Sequence, residues 1–250
     1  MSDIPAPIEN NPAHIVKSYD EELRRLRDTI VRMGGVVESQ LGECQVALLK
    51  RDSEAAERVM ATDPQVDAME REVDAAVIRL LALRQPVAND LRGIVAAMRI
   101  ASDLERAGDY ATNVAKRAIV LANLPSVPAV TGIARINRMA LEMIKDVLDS
   151  YVAGDAGRAI EVWNRDDQVD KLYTGVFREL LTYMMEDPRN ITPCTHLLFI
   201  AKNLERIGDH ATNIAEQVHF LVRGEDPESM RPKSDNSSFT VLQPTAAPQR

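Results

Sequence analysis

The sequence has few cysteines and no long apolar run. Its two cysteines, Cys44 and Cys194, lie far apart and show neither a metal-binding nor a redox spacing, which excludes a disulfide scaffold and fits a reducing compartment. No stretch approaches the roughly 18 apolar residues that a membrane-spanning helix needs. The first residues also lack a cationic start followed by an apolar segment, so we expect no export signal and a cytoplasmic protein.

Aromatic residues and positive charge are also scarce. Aromatics make up 4% of the 250 residues and glycine occurs 11 times, whereas alanine, leucine, glutamate and arginine are plentiful, which favours helix over sheet. The formal net charge is -8, so the chain lacks the basic surface that a phosphate backbone requires and we expect no nucleic-acid partner. Phosphate-loop and dinucleotide-binding fingerprints are absent from the sequence.

What the sequence does contain is an internal repeat. The segment 99–116, RIASDLERAGDYATNVAK, aligns with the segment 199–216, FIAKNLERIGDHATNIAE, at an offset of 199 - 99 = 100 residues. Of the 18 aligned positions 11 are identical, including Asn113 and Asn213. Unrelated segments of this length share about one residue, so the repeat predicts a duplicated helical unit.

The apolar periodicity predicts an all-α fold made of two similar antiparallel three-helix bundles that are related by internal duplication. We expect a disordered N-terminus at 1–17, a first bundle at 18–122, a linker at 123–130, a second bundle at 131–223 and a disordered C-terminal tail at 224–250. The predicted helices cover approximately residues 19–50, 53–83, 86–122, 132–152, 156–185 and 191–223. The Asp63-Pro64 step fits either a kink or a new helix start.

Acidic residues recur at a four-residue step on the third helix of each half, as Glu105 with Asp109 and as Glu205 with Asp209. Two like charges at this step repel each other by roughly 0.2 to 0.5 kcal/mol on an isolated helix. At about 100° per residue, these acids fall at the edge of the apolar stripe and not on the opposite, solvated face. A bound cation would relieve the repulsion.

A second set of acids recurs on the predicted neighbouring helix. Asp63 and Asp67 lie in DPQVD, and Asp166 and Asp170 lie in DDQVD, at an offset of 166 - 63 = 103 residues. The two acidic pairs of each bundle would supply several oxygen ligands to one cation or to a small cluster. Carboxylate oxygens suit hard or borderline cations such as magnesium, manganese, calcium or iron.

Two other interpretations of the acids stay open. Acids on helices are usually solvated, and Arg99, Arg106 and Arg206 are near enough in sequence to pair with them. A ferritin-like di-iron protein requires Glu-x-x-His on two helices, whereas this chain has the motif once, at Glu216 and His219. The repetition of the acids at the edge of the stripe favours a metal site.

The segments 83–118, LRQPVANDLRGIVAAMRIASDLERAGDYATNVAKRA, and 203–218, NLERIGDHATNIAEQV, resemble the PhoU family of bacterial phosphate uptake regulators. The resemblance covers about residues 18 to 222 and includes RQP-x-A-x-DLR at 84–92 and L-E-R-x-G-D twice. In the second half EDPRNITPCTHLLF replaces the first of these motifs. By residue match, the resemblance implies metal binding at these positions: Glu105, Asp109, Glu205, Asp209, Asp63, Asp67, Asp166 and Asp170.

The resemblance also implies a function. Proteins of this family are negative regulators of phosphate uptake and of phosphate-starvation signalling and are not enzymes. They act as adaptors between the ATPase subunit of a high-affinity phosphate ABC transporter and a phosphate-sensing histidine kinase. The resemblance implies a homodimer in the cytoplasm, either free or peripheral at the inner face of the cell membrane, with magnesium, manganese, iron or zinc as the metal. The alternative is a metal-binding or metal-storage helical carboxylate protein.

Overall fold

The computed structural model describes residues 12–227, together with Asp235 and Ser237. All regular structure in this part of the chain is helical: α1 (Pro12–Lys50), α2 (Ser53–Arg84), α3 (Ala88–Ala122), α4 (Val130–Ala153), α5 (Ala156–Asn164), α6 (Asp166–Glu186), a 3-10 turn (Pro188–Asn190) and α7 (Ile191–Arg223). Helices α1 to α3 form the first antiparallel bundle, and α4, the α5–α6 pair and α7 form the second. The all-α fold with internal duplication that the sequence predicted is confirmed. Among the described residues, no helix has both the length and the apolar character for crossing a bilayer.

Helix α1 begins earlier than the sequence predicted. Its first residue is Pro12, so residues 12–17 are helical and not disordered. The proline ring fixes φ at a helical value, and its missing N–H is one of the donors that have no partner in a first turn. The remainder of the predicted disordered segment, residues 1–11, lies outside the described residues.

The turn before the second helix is built alike in both halves. The side chains of Asp52 and Asp155 each accept a hydrogen bond of 3.1 Å from the backbone N–H three residues further on, and so cap α2 and α5. The preceding residues, Arg51 and Gly154, have φ values of 57° and 63°. Glycine adopts this conformation without a steric cost. The Arg51 guanidinium group instead donates to carbonyl oxygens at the end of α3, which holds the strained turn in place.

The predicted helix at 156–185 is two helices, α5 and α6, with Arg165 at the junction. The Arg165 guanidinium group forms an ion pair with Asp146 of α4, and this contact ties the junction to the neighbouring helix. Asp166 and Asp167 then begin α6, where negative charge is favourable next to the free N–H groups of a first turn. In the first half Asp63 and Pro64 correspond to these two residues, and α2 continues through them without a break.

The two bundles share one apolar core. Helix α3 packs along α7, and α1 packs along α4, so that buried side chains of both halves form one cluster. Asn137 of α4 is fully buried and donates a 3.0 Å hydrogen bond to the backbone carbonyl of Leu41 in α1. Cys44 and Cys194 are both buried.

The predicted disordered tail contacts the second bundle. Gly224 ends α7 with φ at 82°. Further along, Asp235 contacts Lys202 of α7 and Asp170 of α6. The polar composition of the tail did not predict this contact. Residues 228–234, 236 and 238–250 lie outside the described part of the chain.

Candidate functional site

The structure brings the predicted acids of the first half onto two helices that pack against each other. Asp63 and Asp67 lie on α2, and Glu105 and Asp109 lie on α3; we call these four residues the first acidic cluster. The Thr112 hydroxyl of α3 donates a 2.9 Å hydrogen bond to Asp63 of α2. Burial, and then the charges of Asp63 and Asp67, raise the pKa of Asp109. The four carboxyl groups therefore share one electrostatic environment.

A further carboxyl group belongs to this environment. Burial raises the pKa of Glu105, and the charges of Asp109 and Glu70 raise it further. Burial also raises the pKa of Glu70 itself, followed by the charges of Asp74 and Asp67. Sequence reasoning missed Glu70 because it is not repeated, although it lies one turn after Asp67 on the same face of α2.

The corresponding acids of the second half are more deeply buried. Asp166 and Asp170 lie on α6, and Glu205 and Asp209 lie on α7; we call these residues the second acidic cluster. The Thr212 hydroxyl donates to Asp166 at 3.3 Å, as its counterpart does in the first half. Asp166, Asp170 and Glu205 are only 1%, 3% and 5% exposed.

Glu205 is the most perturbed acid of the second cluster. One carboxylate oxygen, Oε1, accepts a 2.8 Å hydrogen bond from Lys202 Nζ. Within the described residues the other oxygen, Oε2, is buried and has no hydrogen-bond partner. Burial raises the pKa of Glu205 to about 7, although the Lys202 hydrogen bond lowers it, and the Asp209 charge adds to the increase. A bound cation would favour the ionised form of this carboxyl group.

The arginines near the motif do not neutralise the clusters. Arg106 Nε lies 3.9 Å from Glu105 and is largely exposed, so this ion pair contributes little. The Arg206 guanidinium group lies over the Tyr110 ring, 5.5 Å from its centre. Arg99 donates to a glutamine of α7 at 3.2 Å. The interpretation of the acids as arginine-paired surface charge therefore finds little support.

The Glu-x-x-His motif has other partners. Glu216 accepts a 2.9 Å hydrogen bond from the indole N–H of Trp163, and this contact joins α7 to α5. His219 Nδ1 lies 3.0 Å from the backbone carbonyl of Glu225. Both side chains of the motif thus contribute to the packing at the end of α7.

Metal binding at the clusters stays a prediction. In the region that the structure describes, no group of three or more His, Cys, Asp and Glu side chains is placed so that it would hold one metal ion. The donor chemistry nevertheless fits a hard cation, because each cluster offers carboxylate oxygens only, and Glu205 Oε2 is a buried acceptor without a partner. The predicted acids of each cluster are the residues that would hold such a cation.

A duplicated all-α chain with one acidic cluster in each three-helix bundle is the class of protein that these features define. The PhoU domain matches it twice, at residues 30–118 and 133–218. The chain belongs to the PhoU family.

Relatives of known name agree with this assignment. The chain is 52% identical over 223 residues to a phosphate-specific transport system accessory protein PhoU homolog of Caulobacter vibrioides, which covers 89% of this chain and 97% of that protein. A protein of the same name from Xylella fastidiosa is 51% identical over 229 residues and covers 92% of this chain and 97% of its own length.

Two crystal structures show the same fold. PhoU from Pseudomonas aeruginosa superimposes with a TM-score of 0.81 and is 42% identical, covering 83% of this chain and 100% of that chain. The phosphate transport system regulatory protein PhoU from Streptococcus pneumoniae superimposes with a TM-score of 0.77 and is 28% identical, covering 84% of this chain and 100% of that chain. The similarity extends over both bundles.

Proposed function

We propose that this protein is an accessory regulator of phosphate-specific transport. The observation that carries the proposal is the pair of PhoU domains, together with 52% identity over 89% of the chain to a relative of that name. In more detail, the protein is a cytoplasmic homodimer that represses phosphate uptake and phosphate-starvation signalling. It acts by contact and not by catalysis, as an adaptor between the ATPase subunit of the phosphate transporter and a phosphate-sensing histidine kinase, at the inner face of the membrane.

An exposed apolar surface supports the adaptor role. Around the turn between α2 and α3, the side chains of Ile78, Leu83 and Val87 are largely exposed to solvent. Apolar side chains grouped at the surface mark a contact with another protein more often than they contribute to the stability of a monomer. The turn includes the RQP-x-A-x-DLR segment at 84–92, which the second half lacks, so the sequence of this surface differs between the two halves.

We also propose that the acidic clusters bind divalent or multivalent metal ions, with magnesium, manganese, iron and zinc as the candidates. The mutual repulsion of the acids, which contributes to the raised pKa of Glu105 and of Asp109, favours occupation by a cation. Bound cations reverse the local charge. A chain with a formal net charge of -8 could then approach an anionic membrane or an acidic partner surface.

The experiment is a pull-down of the tagged protein from phosphate-replete cells that lack the untagged copy, with and without a chelator, followed by mass spectrometry. We expect the wild type to retain the transporter ATPase and the sensor kinase, and we expect the chelator to release them. The double variant Glu105→Ala/Asp109→Ala should retain less of both proteins. The matched control is Glu21→Ala/Asp28→Ala, which removes the same charge from an exposed face of α1.

Each outcome of the pull-down has a different meaning. Retention of both partners by the cluster variant and in chelator would contradict the metal bridge and leave the adaptor role standing. Recovery of neither partner with the wild type would contradict the adaptor role. The metal-storage alternative would then be tested by measuring oxygen consumption after ferrous iron is added.

A further inference from the structure

The two acidic clusters differ in charge although the predicted acids repeat. Ser102 corresponds to Lys202 at the offset of 202 - 102 = 100 residues, and Glu70 corresponds to Tyr173 at the offset of 173 - 70 = 103 residues. The second half therefore has an ammonium group where the first has a hydroxyl, and a phenol where the first has a carboxylate. The excess negative charge of the first cluster is reduced in the second.

The Lys202 side chain places a positive charge within the second cluster. Its Nζ atom lies 2.8 Å from Glu205 Oε1 and 5.0 Å from the centre of the Tyr173 ring. Glu205 is 5% exposed, and a carboxylate at this depth requires a partner of opposite charge or hydrogen-bond donors. Lys202, three residues away on the same helix, provides both.

Asp235 completes this arrangement from the C-terminal segment. Its Oδ2 atom lies 3.1 Å from Lys202 Nζ, and its backbone N–H donates a 3.1 Å hydrogen bond to Asp170 Oδ2. The Ser237 N–H donates back to Asp235 Oδ1 at 2.8 Å, which fixes the aspartate side chain in an Asx turn. Asp235 thus offers a negative charge to the ammonium group and a donor to the carboxylate.

The first cluster has no residue equivalent to Lys202 that could pair with Asp235. Ser102 has no charge that would offset an incoming aspartate, and Glu70 adds a carboxylate where the second cluster has the Tyr173 phenol. At the first cluster the Asp235 carboxylate would meet five carboxyl groups, and the nearby cations are Lys116 and the largely exposed Arg106, 3.9 Å from Glu105. The half-buried ammonium group of Lys202 therefore favours the second cluster as the site for Asp235.

We propose that the second acidic cluster is a docking site for the C-terminal segment of this same chain at Asp235, with Lys202 as the recognising cation, and that a divalent cation binds the first cluster in preference to the second. The docking rests on the contacts of Asp235 and is independent of what the protein regulates. The cation preference rests on the proposed metal function. An added cation and Lys202 compete for the same carboxylate of Glu205.

Hydrogen–deuterium exchange of the full-length protein in chelator tests the docking. The backbone N–H groups of Asp235 and Ser237 both donate hydrogen bonds, so a peptide that contains them is protected while the segment is docked. Lys202→Ser, which introduces the residue of the first half, should accelerate its exchange about tenfold. Asp235→Ala should accelerate the exchange of the Ser237 amide. The matched control is Lys145→Ser, at an exposed lysine of α4.

A manganese titration followed by electron paramagnetic resonance tests the cation preference. We expect the wild type to bind Mn²⁺ at one class of site, and Glu105→Ala/Asp109→Ala should abolish it. Lys202→Ser should add a second class, and adding Glu205→Ala/Asp209→Ala to that variant should abolish the new class alone.

Different results would overturn the docking and the cation preference. Unchanged exchange of the 235–237 amides in both Lys202→Ser and Asp235→Ala would overturn the docking. Equal binding of Mn²⁺ at both clusters of the wild type would overturn the cation preference. Absence of Mn²⁺ binding in every variant would overturn the metal function on which that preference rests, while the exchange result alone would decide the docking.

Discussion

Glu105 and Glu205 occupy the same position in the repeat but differ in depth. Glu105 is half-buried, and Glu205 is 5% exposed. Burial is the largest cause of the raised pKa in both, and only for Glu205 does the pKa reach about 7. A carboxyl group with such a pKa couples folding stability to pH near neutrality.

We predict that Glu205 lowers the stability of the protein as pH rises. Its pKa is about 7 in the folded protein against an ordinary value of 4.5, so between these values the folded chain holds a proton that the unfolded chain has lost. The free energy of unfolding therefore falls from pH 4.5 to pH 7, by up to about 3 kcal/mol from this group. Glu205→Gln should remove most of this decrease, because glutamine has no charge to bury.

Urea denaturation in chelator at pH 5 and at pH 8 measures the effect. Glu205→Gln should gain stability over the wild type at pH 8 and show little difference at pH 5. Glu57→Gln, at an exposed position of α2, serves as the control and should follow the wild type at both values. If Glu205→Gln shows the same pH dependence as the wild type, the carboxyl group is not neutralised by its surroundings.

At the residue scale, the sequence predicts those members of the acidic clusters that are repeated and misses those that are not. The acids of both clusters were predicted because each has a counterpart. Glu70 and Lys202 were not, because their counterparts are a tyrosine and a serine. Thr112 and Thr212 also repeat, and each hydroxyl donates a hydrogen bond to an acid of the neighbouring helix, so the repeated threonines are a sequence signal for this contact.

At the scale of single helices, the long α1 contains two adjacent glycines in different surroundings. Gly34 is buried against α4, and a methyl group added there would collide with the Leu148 side chain. Gly35 is exposed, and a methyl group added there would have no neighbour within 4 Å. Alanine substitution at Gly35 therefore reports the low helix propensity of glycine alone, and substitution at Gly34 also reports the close packing of α1 against α4.

We predict opposite effects for the two alanine variants. Gly35→Ala should raise the free energy of unfolding by about 0.5 to 1 kcal/mol, because alanine has less backbone freedom to lose. Gly34→Ala should lower it by about 1 kcal/mol, because the displacement of buried Leu148 outweighs the gain in helix propensity. Urea unfolding of the two variants gives the comparison, and a stabilised Gly34→Ala would show that α1 and α4 adapt to the extra methyl group.

The sequence predicts that the helices exist and is less reliable about where they end. Apolar residues at helical spacing identified the six helical regions. The break at Arg165 was missed because the local sequence has no glycine or proline there; the partner of Arg165, Asp146, lies on another helix. The early start at Pro12 was missed because the polar N-terminal composition outweighed the preference of proline for a first turn.

At the scale of the whole molecule, part of the contact between the two bundles is made by residues that differ between the repeats. Asp103 of α3 lies 2.7 Å from His210 Nδ1 and accepts a 3.2 Å hydrogen bond from Asn213, both on α7. The His210 ring stacks on Tyr110 with 5.6 Å between the ring centres. In the duplicate positions Asn203 replaces Asp103 and Tyr110 faces its own counterpart, His210. The repeat predicted two bundles, and these unrepeated contacts add to the apolar core that joins them.

We predict that Asp103→Ala weakens the joint between the bundles. The substitution removes the acceptor of two hydrogen bonds in a half-buried contact, which should lower the free energy of unfolding by about 1 to 2 kcal/mol. Chemical denaturation measures this loss. Asp28→Ala, which removes an exposed acid of α1, should change stability by less than about 0.5 kcal/mol. Equal losses in the two variants would mean that the α3–α7 contact does not depend on Asp103.

The unequal depth of the two acidic clusters also affects how readily a cation would reach each of them. Asp109 is exposed, so a cation would reach the first cluster directly from the surrounding water. Entry to the second cluster requires Lys202 to leave Glu205 and Asp235 to leave Asp170, which is a motion of the chain and not of water alone. Breaking these contacts has a free-energy cost that entry to the first cluster does not have. At equal intrinsic affinity, a cation would therefore fill the first cluster before the second.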